Sequence, residues 1–274
     1  MEPYWELIER IIKESDIVLE ILDARLIDLS RNEKVEELVK ESGRPLIFVI
    51  NKSDLISKEF LKSQIQKLEE SGEVIYVSAK KAKSMRILFT AIKKIFKKHG
   101  KREVIERKIG DPKLKYREAK GEIVVGVLGY PNVGKSSLIN ALAHKKKVKV
   151  SKKAGTTHGI HWVKATDDIK LIDSPGVIPL TKDDETRYGL IGARDSERLK
   201  NPEVVAIALI KLFQKNNIKA FEDLYKIETK DKNTEEIIEE IAKKKNYMLK
   251  GERFDEHKTC SLIIRDWQHG KLKI

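Results

Sequence analysis

Two short motifs in this 274-residue chain stand in an order that limits how it can fold. The tetrapeptide Asn51-Lys52-Ser53-Asp54 comes first, and the glycine-rich loop Gly129-Tyr130-Pro131-Asn132-Val133-Gly134-Lys135-Ser136 follows it. Where both motifs occur in one nucleotide-binding domain, the glycine-rich loop normally comes first. A chain with the reversed order must build the same parallel sheet from strands that arrive in a different sequence.

The glycine-rich loop predicts a site for a nucleoside triphosphate. Glycines at both ends allow the backbone to wrap the phosphates, Lys135 reaches the β and γ oxygens, and Ser136 is the expected ligand of Mg²⁺. The backbone amides of such a loop recognise phosphates and not the base. The predicted phosphate-binding residues are Asn132, Val133, Gly134, Lys135, Ser136 and Ser137.

The base is predicted to be guanine, read by Asn51, Lys52, Ser53 and Asp54. A carboxylate at Asp54 accepts two hydrogen bonds from the N1 and N2 edge of guanine, and adenine has no matching donors. An ATP-dependent enzyme or kinase is the alternative, disfavoured because adenine would leave the carboxylate unmatched.

The short segment Ser78-Ala79-Lys80 follows the third predicted strand. It matches a loop that supports the guanine O6 with a main-chain amide. The match is weak alone and gains its weight from lying one helix and one strand after Asp54.

Two further segments predict a magnesium site and the elements that respond to the γ-phosphate. Asp173 ends a predicted strand and opens Asp-Ser-Pro-Gly, where it is expected to hold Mg²⁺, with Gly176 offering its amide to the γ-phosphate. An ordinary turn is the alternative for this segment. In Ala154-Gly155-Thr156-Thr157, a candidate switch loop, Thr157 is the expected Mg²⁺ ligand and Thr156 the alternative. Lys135, Thr157 and Gly176 are therefore the candidate catalytic residues.

Hydrophobic periodicity predicts an α/β fold, the three-layer P-loop type with a permuted motif order. Apolar runs at 17–22, 46–50, 74–77, 123–128, near 160–165 and 169–172 read as strands, and helical patterns lie near 32–42, 58–71, 84–98 and 137–143. After Pro179, helical patterns cover 202–215, 219–226 and 234–245, the last with Thr234 as its N-cap. The expected domains are a nucleotide-binding unit at 1–182 and an all-helical unit at 183–274.

The net charge of +13 is concentrated in two segments. Residues 80–120 hold 16 Lys and Arg against 4 Asp and Glu, and residues 145–153 add six lysines and no acid. Such blocks favour contact with a polyanion, and nucleic acid is the predicted partner; a solvated or thermally adapted surface is the alternative. Within the first segment, 99–121 is predicted to be an exposed basic linker.

Composition also bears on the cellular setting. The first ten residues contain no apolar signal region and no apolar run is long enough to span a bilayer, so a cytoplasmic protein without a membrane partner is expected. The single cysteine, Cys260, is expected to be a buried structural thiol. In the helical unit, Trp267 and Tyr247 could stack on RNA bases, but core packing is the favoured interpretation.

The motif order NKSD, SAK, GYPNVGKSS, AGTT, DSPG resembles the circularly permuted GTPases of the YlqF/RbgA ribosome-assembly type. The segment Asp16 to Arg25 is similar to the first strand of that family, and Arg265 to Lys271 resembles its C-terminal signature. The resemblance implies GTP, GDP and Mg²⁺ as ligands and action on the large ribosomal subunit through ribosomal RNA, with no role for DNA. A nucleotide-gated RNA-binding module with incidental GTP turnover is the alternative function.

The resemblance also implies slow turnover that ribosomal particles stimulate. Val177 stands where signalling GTPases have a glutamine, and a hydrophobic side chain cannot orient the attacking water. Some members are thought to use a histidine near the N-terminus, but this chain has none before His99. His158 and His161 read better as surface or strand-packing residues, so the water-positioning residue is unassigned.

Asn132 resembles an asparagine with which related GTPases bind K⁺ beside the phosphates. An asparagine in a turn near a helix is the alternative for this position.

Overall fold

The computed structural model describes residues 4–101, 123–143, 161–174, 185–251 and 253–274. Six strands form one sheet in the order β3-β2-β1-β4-β6-β5, parallel except for the antiparallel edge strand β5. Their bounds are β1 Ile17–Asp23, β2 Leu46–Asn51, β3 Glu73–Tyr76, β4 Ile123–Leu128, β5 His161–Lys164 and β6 Ile169–Asp173.

Helices cover both faces of this sheet and predominate in the described chain after it. Those of the sheet region are α1 Tyr4–Glu14, α2 Ile27–Ser30, α3 Glu33–Glu41, α4 Lys58–Glu69, α5 Ala82–His99 and α6 Lys135–Leu142. Those that follow are α7 Glu185–Leu190, α8 Pro202–Asn216, α9 Ile218–Tyr225, α10 Thr234–Lys245 and α11 Glu256–Gln268.

The composition of β1 explains why it lies at the centre of the sheet. All seven of its residues are buried, as expected of a parallel strand covered on both faces. Leu19 and Ile21 point to a core shared with α5 and α6, whereas Val18 joins a second core with α1 and α3. The result is the predicted three-layer α/β arrangement.

The placement of the strands in the sheet brings the two motifs together despite their reversed order in the chain. β1 pairs with β2 on one side and with β4 on the other, with Asp23 opposite Asn51 and Ile17 opposite Val125. The strands that carry the tetrapeptide therefore arrive first in the chain and still lie beside the strand that feeds the glycine-rich loop. Because the ends of parallel strands meet at one edge, both motifs lie at the carboxyl edge of the sheet.

The helical region has its own hydrophobic core, built mainly from α8, α9, α10 and α11. Trp267 is completely buried there, with its ring edge toward Phe213 at a centroid distance of 5.8 Å. Core packing, not base stacking, is therefore its role. Cys260 is fully buried as predicted, and burial raises the pKa of its thiol to about 12.

Some boundaries differ from the sequence predictions. The N-cap of α10 is Asn233 and not Thr234: the Asn233 side chain accepts from the Glu236 amide at 2.9 Å, and the Glu236 carboxylate accepts from the Asn233 amide at 2.8 Å. This reciprocal capping box satisfies two amides, which Thr234 could not do from inside the helix. The prediction also gave no helix at 256–268, where α11 lies.

Much of the predicted basic linker and all of 145–153 lie outside the described residues. In the part of the chain that is described, no helix has both the length and the apolar character that a membrane crossing needs.

Glu20 is an acid buried in the middle of β1. One of its carboxylate oxygens accepts from the Asn32 amide at 2.8 Å, and the other has no hydrogen-bond partner among the described residues. Burial, reinforced by the Glu36 charge, raises the pKa of Glu20 from 4.5 to about 8. The folded chain therefore keeps a proton on Glu20 at neutral pH.

This proton makes stability depend on pH in a defined direction. Between pH 4.5 and about 8 the folded chain holds a proton that the unfolded chain has lost, so the free energy of unfolding falls as the pH rises. Glutamine cannot ionise, and Glu20→Gln is expected to remove this decline, making the variant more stable than the parent near pH 8 by roughly 1–3 kcal/mol. Urea unfolding from about pH 5 to 8 measures the free energy of unfolding of the parent and of Glu20→Gln, with Glu33→Gln as the control at an exposed site. Parallel curves for Glu20→Gln and the parent would show that Glu20 is ionised in the fold.

Candidate nucleotide-binding site

The glycine-rich loop joins the end of β4 to the start of α6, as the phosphate-loop prediction requires. Gly129 has φ +142°, and a Cβ there would lie 2.6 Å from the carbonyl oxygen of Ile21. Gly134 is the N-cap of α6, with φ +102°, and a Cβ there would lie 2.3 Å from the side-chain nitrogen Nδ2 of Asn51. Larger residues would thus collide with the neighbouring strand ends, and the loop can only be built with glycine at these two points.

Lys135 extends its ammonium group into the interior of this loop. Its Nζ donates to the carbonyls of Gly129 at 2.6 Å and Tyr130 at 2.8 Å, and the residue is only 6% exposed. Burial lowers the pKa of Lys135 to about 8, against the opposing effect of the Asp173 carboxylate. A buried cation whose two partners are neutral carbonyls is well suited to meet the anionic oxygens of a phosphate.

Asp173 ends β6 next to this loop. The residue is 1% exposed, and neither of its carboxylate oxygens has a hydrogen-bond partner among the described residues. Burial raises the pKa of Asp173 to about 6, although Lys135 and His161 act in the opposite direction. A buried carboxylate without donors fits a divalent cation, and Ser136, in the first turn of α6, offers the hydroxyl that was predicted as the second ligand.

The other predicted residues of the γ-phosphate side are Thr156, Thr157, Gly176 and Val177. They lie outside the described residues, as does His158. His161 is exposed on β5, directly opposite Asp173 in the strand pair.

Asn51 ties the two motifs together. Its side-chain amide donates to the Val133 carbonyl at 2.9 Å, and its side-chain oxygen accepts from the Ala79 amide at 3.2 Å. The side chain is buried and spans the tetrapeptide, the phosphate loop and the Ser78-Ala79-Lys80 loop. Asn51 therefore positions the three loops relative to one another, which is more than the base contact predicted for it.

Asp54 lies in the short 3-10 turn at 53–55 that follows β2, with its side chain 20% exposed. Lys80 donates to its carboxylate at 3.3 Å. Partial burial works against ionisation, but hydrogen bonding with Ser78 and the Lys80 charge hold the pKa of Asp54 below its usual value. The group is thus an ionised acceptor at neutral pH, and the Ser78-Ala79-Lys80 loop contacts it. The main-chain bond from this loop to guanine O6 stays a prediction.

Lys52 has a left-handed backbone, φ +63°, and turns its side chain down toward the end of β1. Its Nζ donates to Asp23 at 2.7 Å. Asp23 also receives a two-pronged bond from Arg25, at 3.0 and 2.8 Å, and both of these side chains are 1% exposed. Although burial opposes ionisation, the two cations hold the pKa of Asp23 far below its usual value. The side chain of Lys52 is therefore held by the buried Asp23–Arg25 ion pair.

The sequence prediction assigned no site role to Asp23 or Arg25. The position of Asp23 could have predicted a role in the site. Asp23 ends the strand between β2 and β4, and the carboxyl ends of neighbouring parallel strands share one edge.

Asn132 reaches away from the sheet. Its side-chain amide donates to the Gly192 carbonyl at 2.5 Å, in the connector between α7 and α8, and its backbone is left-handed at φ +61°. The phosphate loop is thereby attached to the first part of the helical region.

Comparison with known proteins agrees with this geometry. A family model described as 50S ribosome-binding GTPase matches residues 124–250. The match begins at the strand before the phosphate loop, so the guanine tetrapeptide lies ahead of it, as the permuted order requires.

Similar sequences are GTP-binding proteins from bacteria, archaea and fungi. Ribosome biogenesis GTPase A of Bacillus licheniformis is 30% identical over 261 residues, which covers 93% of this chain and 87% of that protein. An uncharacterised GTP-binding protein of Methanocaldococcus jannaschii is 34% identical and the nucleolar GTP-binding protein 2 of Pneumocystis carinii is 29% identical. This chain spans 66% and 52% of the length of those last two proteins.

The fold is also found among solved structures. YlqF from T. maritima bound to GNP aligns over 98% of this chain and 95% of its own, with a TM-score of 0.60 and 21% identity. The circularly permuted arrangement is thus shared.

Proposed function

Because this chain belongs to the YlqF/RbgA family of GTPases, we propose that it is a ribosome-assembly factor whose nucleotide state controls docking on the large ribosomal subunit. GTP binding and hydrolysis follow from the family. The observation that carries the proposal is the convergence at one sheet edge of an ionised Asp54, a buried Lys135 and a buried Asp173 whose carboxylate accepts from no donor among the described residues. These groups match the guanine, the phosphates and the metal.

In the proposed mechanism the chain's own residues bind and orient the nucleotide. Asp54 accepts from the guanine edge, and Lys135 exchanges its two carbonyl partners for β and γ oxygens. Ser136, Asp173 and Thr157 would hold Mg²⁺, which would supply positive charge to neutralise the phosphates. Gly176 offers its amide to the γ-phosphate.

Val177, at the position of the usual glutamine, cannot orient water. Intrinsic turnover is therefore slow, and a ribosomal particle supplies what is missing. A K⁺ ion beside Asn132 is proposed as a further activating charge. GTP turnover is then expected to be faster in K⁺ than in Na⁺ at equal ionic strength.

The proposed partner is ribosomal RNA, and a surface for it lies on α5. This helix begins directly after the Ser78-Ala79-Lys80 loop and contains no acidic residue. Its exposed side carries a row of cations at helical spacing: Lys83, Arg86, Lys93, Lys94, Lys97 and Lys98. Its 18 residues extend about 27 Å from the guanine end of the site. Such a row suits the phosphates of an RNA backbone better than a protein surface of mixed charge.

A two-domain division at about residue 182 is part of this proposal, with the helical unit carrying further RNA contacts. The cytoplasm is the proposed location, and no DNA partner is expected.

Cosedimentation tests the proposal and the α5 surface together. The protein is expected to pellet with large subunits in a non-hydrolysable GTP analogue and to remain in the supernatant with GDP. Lys94→Gln, Lys97→Gln and Lys98→Gln combined should weaken pelleting and reduce the log–log salt slope by roughly 2–3, about one unit for each phosphate contact. The matched control removes three exposed lysines that lie among acids: Lys40, Lys58 and Lys62. Equal losses in both triple variants would mean that net charge, and not the α5 surface, binds the particle.

A further inference from the structure

The last residues of the chain lie against the guanine side of the nucleotide site. We call residues 267–274 the clasp segment; these eight residues comprise the last two of α11 and the six that follow it through Ile274. This segment has no assigned role in nucleotide binding, although residues 265–271 are part of the C-terminal signature noted in the sequence.

A chain of buried contacts leads from the clasp segment to the guanine tetrapeptide. The Arg25 guanidinium donates to the Trp267 carbonyl and lies 3.9 Å from the centroid of the Trp267 ring. The same guanidinium holds Asp23 in a two-pronged bond, and Asp23 holds Lys52 at 2.7 Å. Arg25 is thus fixed by the tryptophan on one side and fixes the carboxylate under Lys52 on the other.

The geometry of Arg25 makes this chain specific. A planar guanidinium can stack on an indole ring and still direct separate N–H groups to a carboxylate and a carbonyl. A lysine in its place could keep the charge beside Asp23 but could not satisfy all three partners at once.

A second set of contacts holds the turn that carries Asp54. The Ile274 amide donates to the Leu55 carbonyl at 2.9 Å, and the Ser57 amide donates to the Ile274 carbonyl at 2.9 Å. Gly270, at φ +71°, packs so closely on Leu55 that a Cβ there would lie 3.0 Å from the leucine Cδ1. Leu55 directly follows Asp54, so the clasp segment fixes the main chain next to the guanine-reading carboxylate.

The clasp segment also holds the end of α7 and the connector between α7 and α8. The Trp267 indole donates to the Leu190 carbonyl at 2.7 Å. The Gln268 amide donates at 3.0 Å to two more carbonyls, that of Gly189 in α7 and that of Arg194 in the connector. The same connector receives the Asn132 bond described above, so one short segment is linked to both ends of the nucleotide site.

We propose that the clasp segment is a positioning element of the guanine pocket, with Arg25 as the residue that transmits its position to Lys52. This rests on the proposed function, in that it assumes guanine binding at Asp54. A movement of the helical region on RNA would shift Trp267, and through Arg25 and Leu55 it would alter the fit of guanine.

The test compares GDP with IDP, which lacks the exocyclic amine and forfeits one of the two bonds to Asp54. The parent protein is expected to prefer GDP by about 10- to 100-fold, the value of one hydrogen bond to a charged group. Arg25→Lys and Trp267→Leu are each expected to reduce this preference at least about fivefold, because the loop that carries Asp54 is no longer held in register. A fluorescent GDP displaced by GDP or IDP gives both affinities on the full chain.

The GDP-to-IDP ratio separates positioning from general destabilisation. A variant that only loses stability has fewer competent molecules, which lowers both affinities equally and leaves the ratio unchanged. Tyr225→Phe is the matched control, since it removes one buried hydrogen bond of the helical core, the bond to Asp266 of α11 at 3.3 Å, which involves none of Arg25, Leu55 and Trp267. It is expected to keep the parental ratio.

The outcomes distinguish this proposal from the proposed function. A parent protein with no preference for GDP over IDP would contradict guanine reading by Asp54 itself. A parent with the preference and a folded Arg25→Lys or Trp267→Leu variant that retains it would overturn the role of the clasp segment alone. Arg25→Lys conserves the charge beside Asp23 and is the variant expected to fold if Trp267→Leu does not.

Discussion

Replacing Asp54 with asparagine is expected to abolish GTP binding and to create binding of XTP. The Asp54 carboxylate is 20% exposed and ionised, and it offers two acceptors to the N1 and N2 donors of guanine. Asparagine presents one donor and one acceptor, which matches xanthine, where an oxygen replaces the exocyclic amine. Loss of two charge-assisted hydrogen bonds predicts a fall in GTP affinity of at least about 100-fold.

Competition binding with GTP, XTP and ATP on one preparation measures this exchange. Asp223→Asn, an exposed site on α9, is the control for the loss of one negative charge. Undiminished GTP affinity in Asp54→Asn would remove Asp54 from the base pocket. ATP bound as tightly as GTP by the parent would instead support the alternative of an ATP-dependent enzyme.

Replacing Lys135 with alanine is expected to weaken triphosphate binding strongly without loss of stability. Within the described part of the chain the buried ammonium group has two carbonyl partners, and burial lowers its pKa to about 8, so it is held at some cost in the fold. Its removal should leave the melting temperature unchanged or higher. Without the cation that meets the β and γ oxygens, GTP affinity should fall by roughly 10- to 100-fold.

Calorimetric titration with GTP and thermal unfolding of the same samples separate the two effects. Lys94→Ala, on the exposed face of α5, controls for the loss of a lysine. RNA affinity should lose its dependence on nucleotide in Lys135→Ala. If the parent protein also binds RNA equally tightly with GTP and with GDP, the alternative of an uncoupled RNA-binding module is favoured.

The sheet could be predicted from the sequence because its strands are short, apolar and separated by clear helical patterns. The run at 123–128 was placed correctly at both ends, and the runs at 17–22 and 46–50 each ended one residue early. In those two strands the missing residue is polar and buried, Asp23 and Asn51, and belongs to the site. A hydrophobic pattern therefore ends a strand too early where its last residue is a buried polar residue of the site.

The motifs predicted which loops meet, but not how they are fastened. Asn51 was expected to bind the nucleotide, and the structure uses its amide to join three loops. The Arg25 to Trp267 contact joins residues 242 positions apart, and no local periodicity reports such a pair. The N-cap of α10 was misplaced by one residue because asparagine and threonine are both good caps and only the geometry of Glu236 decides between them.

The central claim is that this GTPase works on the large ribosomal subunit. The most direct measurement is the rate of GTP hydrolysis by the full chain, alone and with purified large subunits or their precursors, across a series of K⁺ concentrations. Slow turnover alone and a rise of roughly 10³- to 10⁵-fold at saturation, the range that a group supplied in trans can give, is the predicted result. A rate that large subunits leave unchanged at every K⁺ concentration would contradict the claim.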